Sequence, residues 1–586
     1  MPPPVLRLGS WAVLCLLLAA TLAGALSFDR RSWPGLVGDE ATYLMQAQSL
    51  AWDFDVRYTR ADYDRFVAQW GTPPDGLILQ SGDGGRTLIY AKPASYALWI
   101  APFLRLSPLR GAAIANALLL ALAAVLAARV LARRLGPAAP LAVAVAIYAS
   151  VSFAYVFWAH SDLFLMCLTA IALALVYGGP RPGQAGEEEP ERPPETPARA
   201  ALRFATVGFL LGLVFAARPF YGALLVPAAF AVPPAQRTRR LGIALLVAGA
   251  ALAVVGSGLT HFAEADSWSP YSGERQSFDA KSGFPAVDLP AGSWEQRGAG
   301  RGNRSWLPAD GVGPRLMAWN ALYFLIGRDV GVLPYYLPLL LGLLAFRRGE
   351  GRGFLLLAAL AAAGCFLLTR PFNFYGGGGA IANRYFLPVY PALWFAAGRR
   401  PRAAWTLAAG ALLAALAAAP FLASLWRQPR AFFLDEENGY RYVTAAARRL
   451  LPFETTQSHL KPGGRDDFMQ NGLWIKPLTT SAGPEGNSLR IASSGDGELL
   501  VGASHPLPGL RMIVLPGTPA AIEVAGAAIR ASHPRPGGGA VYLLHLGAPG
   551  AVHKMWWSEN DQPFYLYSLR LTAPAGFACQ LYPTLK

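Results

Sequence analysis

The spacing of apolar runs is what most constrains this chain. Stretches long enough to cross a bilayer recur near 8–26, 111–132, 138–157, 162–178, 203–217, 219–233, 241–259, 332–346, 353–369, 385–398 and 404–424, about eleven in all. Arginine clusters fall between several of them: Arg133-Arg134, Arg237 to Arg240, Arg347-Arg348 and Arg399 to Arg402. With the N-terminus inside, the loops at 133–137, 179–202, 234–240, 347–352 and 399–403 all face the cytoplasm, and all but 179–202, a mixed-charge Pro-rich stretch, are basic, as the positive-inside bias requires. The run Ser95 to Leu104 is too short to span and is read as a helix at the outer interface. Ala23-Gly24-Ala25 resembles a signal-peptidase site. The preferred reading keeps the first run as an uncleaved helix.

Composition agrees with a polytopic membrane protein. Apolar residues make up 53% of the 586 residues and charged residues 15%, too little charge to cover a soluble protein of this length. Disorder, collagen and coiled coil are excluded for the chain as a whole. Four dispersed cysteines exclude a disulfide scaffold. A net charge of +15 would suggest nucleic acid in a soluble protein. Here much of the excess sits in the interhelical clusters, so nucleic acid is not a partner.

The expected fold is thus an α-helical polytopic module over 1–424, followed by an extracytoplasmic β-sandwich-like domain over 425–586. In that C-terminal part, short alternating runs are separated by Gly/Pro turns. Segments 27–110 and 260–331 become outer loops. Residues 180–200, rich in Pro and Glu, become a disordered cytoplasmic loop.

Four features of the outer face bear on chemistry. Gly38-Asp39-Glu40 opens an amphipathic helix, Asp39 to Trp52. Asp39 suits a helix N-cap and Glu40 the positive end of the helix dipole. The same two acids also suit a functional pair, one taking a proton from a hydroxyl and one orienting a substrate or binding a metal. Lys92, Arg218, Arg370 and Arg384 lie beside spans on the side where the positive-inside bias disfavours cations. Each alone suits an interfacial anchor. Four together ask for an anion, and a lipid-linked phosphate answers through charge-assisted hydrogen bonds. His160-Ser161-Asp162 occupies an outer turn, where Asp162 either caps the next helix or adds a third acid with a histidine partner. Tyr375 and the glycines 376–379 form a turn before Arg384, which would also let backbone N–H groups approach a phosphate. The chain has no GxxxxGK[ST] loop, HExxH helix or GxSxG elbow.

In order along the chain, Gly38-Asp39-Glu40, Tyr90-Ala91-Lys92-Pro93, Asp162 and Arg384-Tyr385-Phe386-Leu387-Pro388-Val389-Tyr390-Pro391 resemble the GT-C class of integral-membrane glycosyltransferases. The likeness is to the branch holding protein O-mannosyltransferases and the lipid A aminoarabinose transferase. It implies a polyprenyl-phosphate-sugar donor used at the outer face of a bacterial inner membrane, with inversion. The acceptor would be a glycan, lipid or protein hydroxyl. It places Asp39 as catalytic base or metal ligand and Lys92 and Arg384 near the donor phosphate. Glu40, Tyr90, His160, Asp162 and Arg218 complete the expected donor-binding set. A divalent metal, Mg or Mn, would sit on Asp39 and Asp162. Two readings compete: a transporter or flippase of a lipid-linked glycan, and a non-catalytic anchor for a carbohydrate-binding domain.

Overall fold

A computed structural model describes residues 3–28, 36, 38–178, 196–232, 236–288, 293–294, 313–328, 330–344, 346, 352–371, 373–376, 382–397, 451–452, 454, 456, 468–477, 482–485, 488–491, 495–516, 523–549, 551–554, 563–573 and 576–584. The expected run at 404–424, the clusters at 347–348 and 399–402, and most of the insert at 180–200 lie outside these residues.

The chain divides into two compact units. The first holds Met1–Met317, Ala321–Arg370 and Phe374–Pro452; the second holds Ala318–Asn320, Pro371–Asn373 and Phe453–Lys586. Among the described residues, six helical stretches are long and apolar enough to cross a membrane: Arg7–Ser27, Gly111–Tyr148, Ser161–Gly178, Pro197–Ala217, Arg239–Ala265 and Arg352–Thr369. This is a multi-pass membrane protein. Several other expected runs are apolar but broken. The run at 138–157 is a helix, Ala139–Tyr148, followed by a 3-10 turn, Val151–Phe157. At the break, the Ser150 hydroxyl bonds back to the Ala146 and Ile147 carbonyls and accepts the Ser152 N–H. The runs at 219–233, 332–346 and 385–398 are likewise split into short helices, each run carrying at least two prolines, which lack the N–H a helix ladder needs.

The elements that build the site are α1 (Pro3–Ser27), α2 (Asp39–Trp52), α3 (Arg60–Trp70), α4 (Ala94–Leu106), α5 (Gly111–Leu135), α6 (Ala139–Tyr148), α7 (Ser161–Gly178), α8 (Pro197–Ala217), α9 (Leu225–Phe230) and α10 (Gln236–Ala265). Thr196 caps α8 by accepting the Arg199 N–H, so the tail of the insert expected to be disordered through 200 is already helical from Pro197. Helices α8 and α10 pack through small residues. A Cβ on Gly208 would lie 2.0 Å from the Leu246 carbonyl oxygen, and one on Gly249 would lie 2.2 Å from that of Ala205. Gly208 and Gly212 form the small-xxx-small spacing that lets membrane helices approach closely.

The first long loop is ordered into α2, α3, α4 and two strands, β1 (Leu77–Ser81) and β2 (Ile89–Tyr90). Strand β1 sits between β2 and β3 (Glu274–Phe278), pairing antiparallel with both, with Leu79 opposite Tyr90 on one side and Gln276 on the other. This sheet ties the first long loop to the second. Helix α4 covers the expected interfacial run. It buries Tyr96, Ile100 and Leu104 while Leu98 and Leu106 stay exposed.

The second unit carries two antiparallel six-stranded sheets. One runs Glu523–Ala525, Pro563–Ala573, Gly495–Ala503, Leu473–Pro477, Phe468–Gln470, with Ala551–Lys554 also on Pro563–Ala573. The other runs Ala527–Pro534, Ala540–Leu546, Gly509–Val514, Ala578–Pro583, Ser488–Ile491, Ala482–Glu485. Leu499, Val501 and Leu569 from one sheet and Leu510, Met512 and Leu581 from the other share a single core, the layout of a sandwich.

Candidate functional site

Helix α2 begins at Asp39, and its N-cap is Gly38, at φ +61 with no side-chain capping bond. Asp39 is thus the first helical residue and not the cap, which frees its carboxylate for long-range partners. Those partners come from three other segments. The Lys92 ammonium contacts Asp39 Oδ1. His160 Nε2 lies 2.9 Å from Asp39 Oδ2, and Arg384 Nη2 lies 3.0 Å from the same oxygen. Spacings of i, i+4 and i+7 align Asp39, Tyr43 and Gln46 on one face of α2. The Lys92 ammonium lies over the Tyr43 ring at 5.7 Å, and Gln46 donates to the Lys92 carbonyl at 3.0 Å.

Asp162 is the second residue of α7 rather than its cap. His160 Nδ1 is 2.7 Å from Asp162 Oδ2, Arg384 Nε is 3.8 Å from that oxygen, and Arg218 Nη2 is 4.0 Å from Oδ1. Arg218, at the C-cap of α8, stacks its guanidinium on Tyr385 at 3.9 Å. Arg384 donates to the Gly376 carbonyl and lies over Trp158 at 5.3 Å. Gly376 has φ +113, and a Cβ there would fall 2.2 Å from Arg384 Nε. The described part of the glycine-rich turn therefore lets backbone approach Arg384.

Six of the expected site residues form one network: Asp39, Lys92, His160, Asp162, Arg218 and Arg384. Five are almost fully buried; the Asp39 side chain, at 20% exposure, is the most exposed member. Glu40 plays another part. It is buried, and its Oε1 accepts the Ala159 N–H at 3.3 Å, fixing the backbone that carries His160. Tyr90 stands apart from the network: its ring packs edge-on to Tyr58 within the first loop. Arg370 follows α14 (Arg352–Thr369 in chain order, after α11 Pro314–Ile326, α12 Val332–Tyr335 and α13 Leu339–Leu344), with its N–H bonded to the Phe366 carbonyl.

The electrostatics follow from burial with charge. Burial opposes ionisation of Asp39, but Lys92, Arg384 and the His160 contact outweigh it and hold the carboxyl well below the usual carboxylate range. Burial pulls the Lys92 ammonium down to about 7, against the attraction of Asp39. Arg384 keeps its charge in spite of burial because the two carboxylates face it. A divalent metal does not fit this donor set. Asp39 and Asp162 both face cations, and among the described residues no group of three or more His, Cys, Asp or Glu is placed to hold a metal ion.

Sequence reasoning missed the supports. Lys92 is held by its carbonyl, which accepts from Gln46 of α2 and lies 3.1 Å from His261 Nε2 of α10. Gln80 faces His261 Nδ1 at 3.2 Å and donates to the Ser269 and Ser272 carbonyls. Trp158 packs against His160 at 4.8 Å between ring centroids, the two rings tilted by 34°. Only the i, i+4, i+7 face of α2 was visible as a signal.

No protein-family model matches the chain, and no curated protein does. Among solved structures, the chain is similar to ArnT from Cupriavidus metallidurans bound to undecaprenyl phosphate, at a TM-score of 0.40 and 16% identity over 75% of each chain. It is also similar to the same protein in the apo state, at 0.39 and 15%, over 75% of this chain and 74% of that one. The functional reading rests on the side chains themselves.

Proposed function

We propose that this protein is a membrane glycosyltransferase that moves a sugar from a polyprenyl-phosphate carrier to a hydroxyl of a cell-envelope glycan, lipid or protein. The reaction takes place at the outer face of a bacterial inner membrane. The observation that carries the reading is the convergence of Asp39 and Asp162 with Lys92, Arg218 and Arg384 on one buried network open at Asp39. The acceptor hydroxyl gives its proton to the network at Asp39 while its oxygen attacks the anomeric carbon. The bond from that carbon to the phosphate oxygen breaks, and the anomeric centre inverts. Lys92 and Arg384 turn from the carboxylate to the phosphate as its charge develops. A flippase would call for charges in the middle of spans; these cations sit before α4, after α8 and before Leu387–Val389.

The test uses the full chain in nanodiscs with a panel of radiolabelled polyprenyl-phosphate sugars and cell-envelope extract. Wild type transfers label from one of them. Asp39→Asn, which loses the carboxylate but no helix cap, transfers about two to four orders of magnitude more slowly at unchanged expression. Undiminished transfer by Asp39→Asn refutes the role of Asp39, and no transfer by wild type refutes the function.

A further inference from the structure

We propose that the outward face of the second six-stranded sheet in the C-terminal unit binds an acidic oligosaccharide, a chain of sugars carrying carboxylate or phosphate groups. This goes beyond the glycosyl-transfer reading and does not rest on it, because it concerns binding on another unit of the chain.

Along these strands the side chains alternate between core and solvent. On Gly509–Val514, Leu510, Met512 and Val514 fill the core, so Arg511 and Ile513 face out. On Ala540–Leu546, Leu544 and Leu546 fill it, so Leu543 and His545 face out. On Ala578–Pro583, Cys579 and Leu581 fill it, so Gln580 and Tyr582 face out. The register puts Arg511 between Leu543 on one side and Tyr582 on the other. The Arg511 guanidinium lies over the Tyr582 ring at 5.1 Å, and the Tyr582 hydroxyl donates to Gln580 Oε1 at 3.0 Å. Arg511 and His545 are exposed, and Tyr582 is half-buried.

A solvent-facing strand surface needs only to be wettable; this one is also cationic throughout. Residues 509–514, 527–534, 540–546 and 578–583 contain no Asp or Glu. Two more exposed arginines border the face: Arg530 at the bulge of the edge strand Ala527–Pro534, and Arg535 in the turn that follows it. Among the described residues, no carboxylate pairs with Arg511, Arg530 or Arg535. The other sheet differs, since there Arg570 stands cross-strand from Glu498. Two strand spacings separate Arg511 from the edge strand, about 10 Å, so the cations suit successive residues of a chain rather than one small anion. Guanidinium forks take carboxylate or phosphate oxygens through charge-assisted hydrogen bonds. The Tyr582 ring offers a flat apolar area to the C–H faces of sugar rings, while the Gln580 amide and His545 offer hydrogen bonds to hydroxyls. A bilayer surface calls for protruding apolar side chains, whereas Leu543 and Ile513 are half-buried between polar neighbours.

The experiment is calorimetric titration of the full chain in phosphatidylcholine nanodiscs with hexagalacturonate, phosphorylated maltohexaose and unmodified maltohexaose. Wild type should bind one acidic hexamer at least about tenfold more tightly than the neutral one, and the preferred hexamer tells which oxyanion the forks take. Arg511→Gln, Arg530→Gln and Arg535→Gln combined should weaken that binding about tenfold or more, most strongly at low salt. Tyr582→Leu, which keeps the charge and loses the ring, should weaken it about threefold or more. Arg60→Gln with Arg86→Gln, which removes exposed charge from the first outer loop, should leave it unchanged. Polyglutamate of equal charge should bind at least about tenfold more weakly than the acidic hexamer. Equal binding of polyglutamate, or an equal loss in the first-loop variant, marks charge alone and overturns the proposal. So does a chain that binds no acidic hexamer, or binding that survives the combined variant. Attachment to phosphatidylglycerol vesicles without sugar binding marks a membrane-facing surface and overturns it too. Should the combined variant lose its fold by thermal unfolding, Arg511→Gln alone decides, with a loss of about threefold expected and unchanged affinity refuting the proposal. The measurement needs no turnover. A chain that binds acidic sugar here and transfers none fails the glycosyl-transfer reading alone, and one that transfers without binding here fails this proposal alone.

Discussion

Lys92 makes donor binding a proton-uptake reaction. Its ammonium titrates at about 7, lowered from an ordinary value of 10.5 mainly by burial. A donor phosphate beside it stabilises the charged form and returns the pKa toward its ordinary range. Between those values the protein must bind a proton in order to bind donor. Above pH 7 the protonated fraction falls about tenfold per unit, so donor affinity should fall about tenfold per unit, or about 1.4 kcal/mol. At pH 9, Kd should be roughly fiftyfold weaker than at pH 7, where half the lysine is charged, and below pH 7 the curve should flatten. Asp39, held low, stays ionised throughout and adds no slope. The ligand must be the polyprenyl-phosphate sugar, a phosphodiester of constant charge in this window, since the free carrier phosphate titrates itself. The assay is equilibrium binding of that ligand to the full chain in nanodiscs from pH 6.5 to 9. Lys92→Arg, whose guanidinium does not titrate here, is the control and should be flat. Constant wild-type affinity across the range refutes the reasoning, and an equal slope in Lys92→Arg assigns the proton to another group.

Three further outcomes follow from the geometry. Arg384→Lys keeps the charge but loses the fork that spans Asp39, Asp162 and the Gly376 carbonyl; donor affinity should drop in the order Arg, Lys, Ala, with the last about ten- to a hundredfold or more below wild type, read by the same binding assay. Gly376→Ala places a Cβ 2.2 Å from Arg384 Nε at φ +113, so it should displace that guanidinium and weaken donor binding comparably to Arg384→Lys while thermal unfolding in detergent shifts only modestly. Gly208→Leu drives a side chain into the Leu246 carbonyl across the α8–α10 contact and should destabilise the chain by about 1–3 kcal/mol or more, seen as a lowered Tm, with Gly256→Ala, which meets nothing within 4 Å, as the neutral control.

Much of this protein is written in local sequence. Apolar runs and their flanking arginines mark a multi-pass chain, because a bilayer demands long apolar helices and membrane insertion disfavours cations outside. Alternation between Gly/Pro turns marks the C-terminal strands. Asp39, Lys92, His160, Asp162, Arg218 and Arg384 each stand out as a charge or imidazole where apolar sequence surrounds it. What local sequence left open was the competition between capping and long-range contact. Asp39 and Asp162 fit a helix cap by residue type alone. Only the tertiary structure, by putting Gly38 at the cap and bringing segments up to 345 residues apart onto one carboxylate, decided against it. The same folding removed Tyr90 from the network and turned Glu40 to the backbone before His160. It also recruited Gln46, Gln80 and His261 to hold Lys92. Their roles depend on which side chains meet across α2, α10 and the β1–β3 pairing, and no local periodicity encodes a meeting between distant strands and helices.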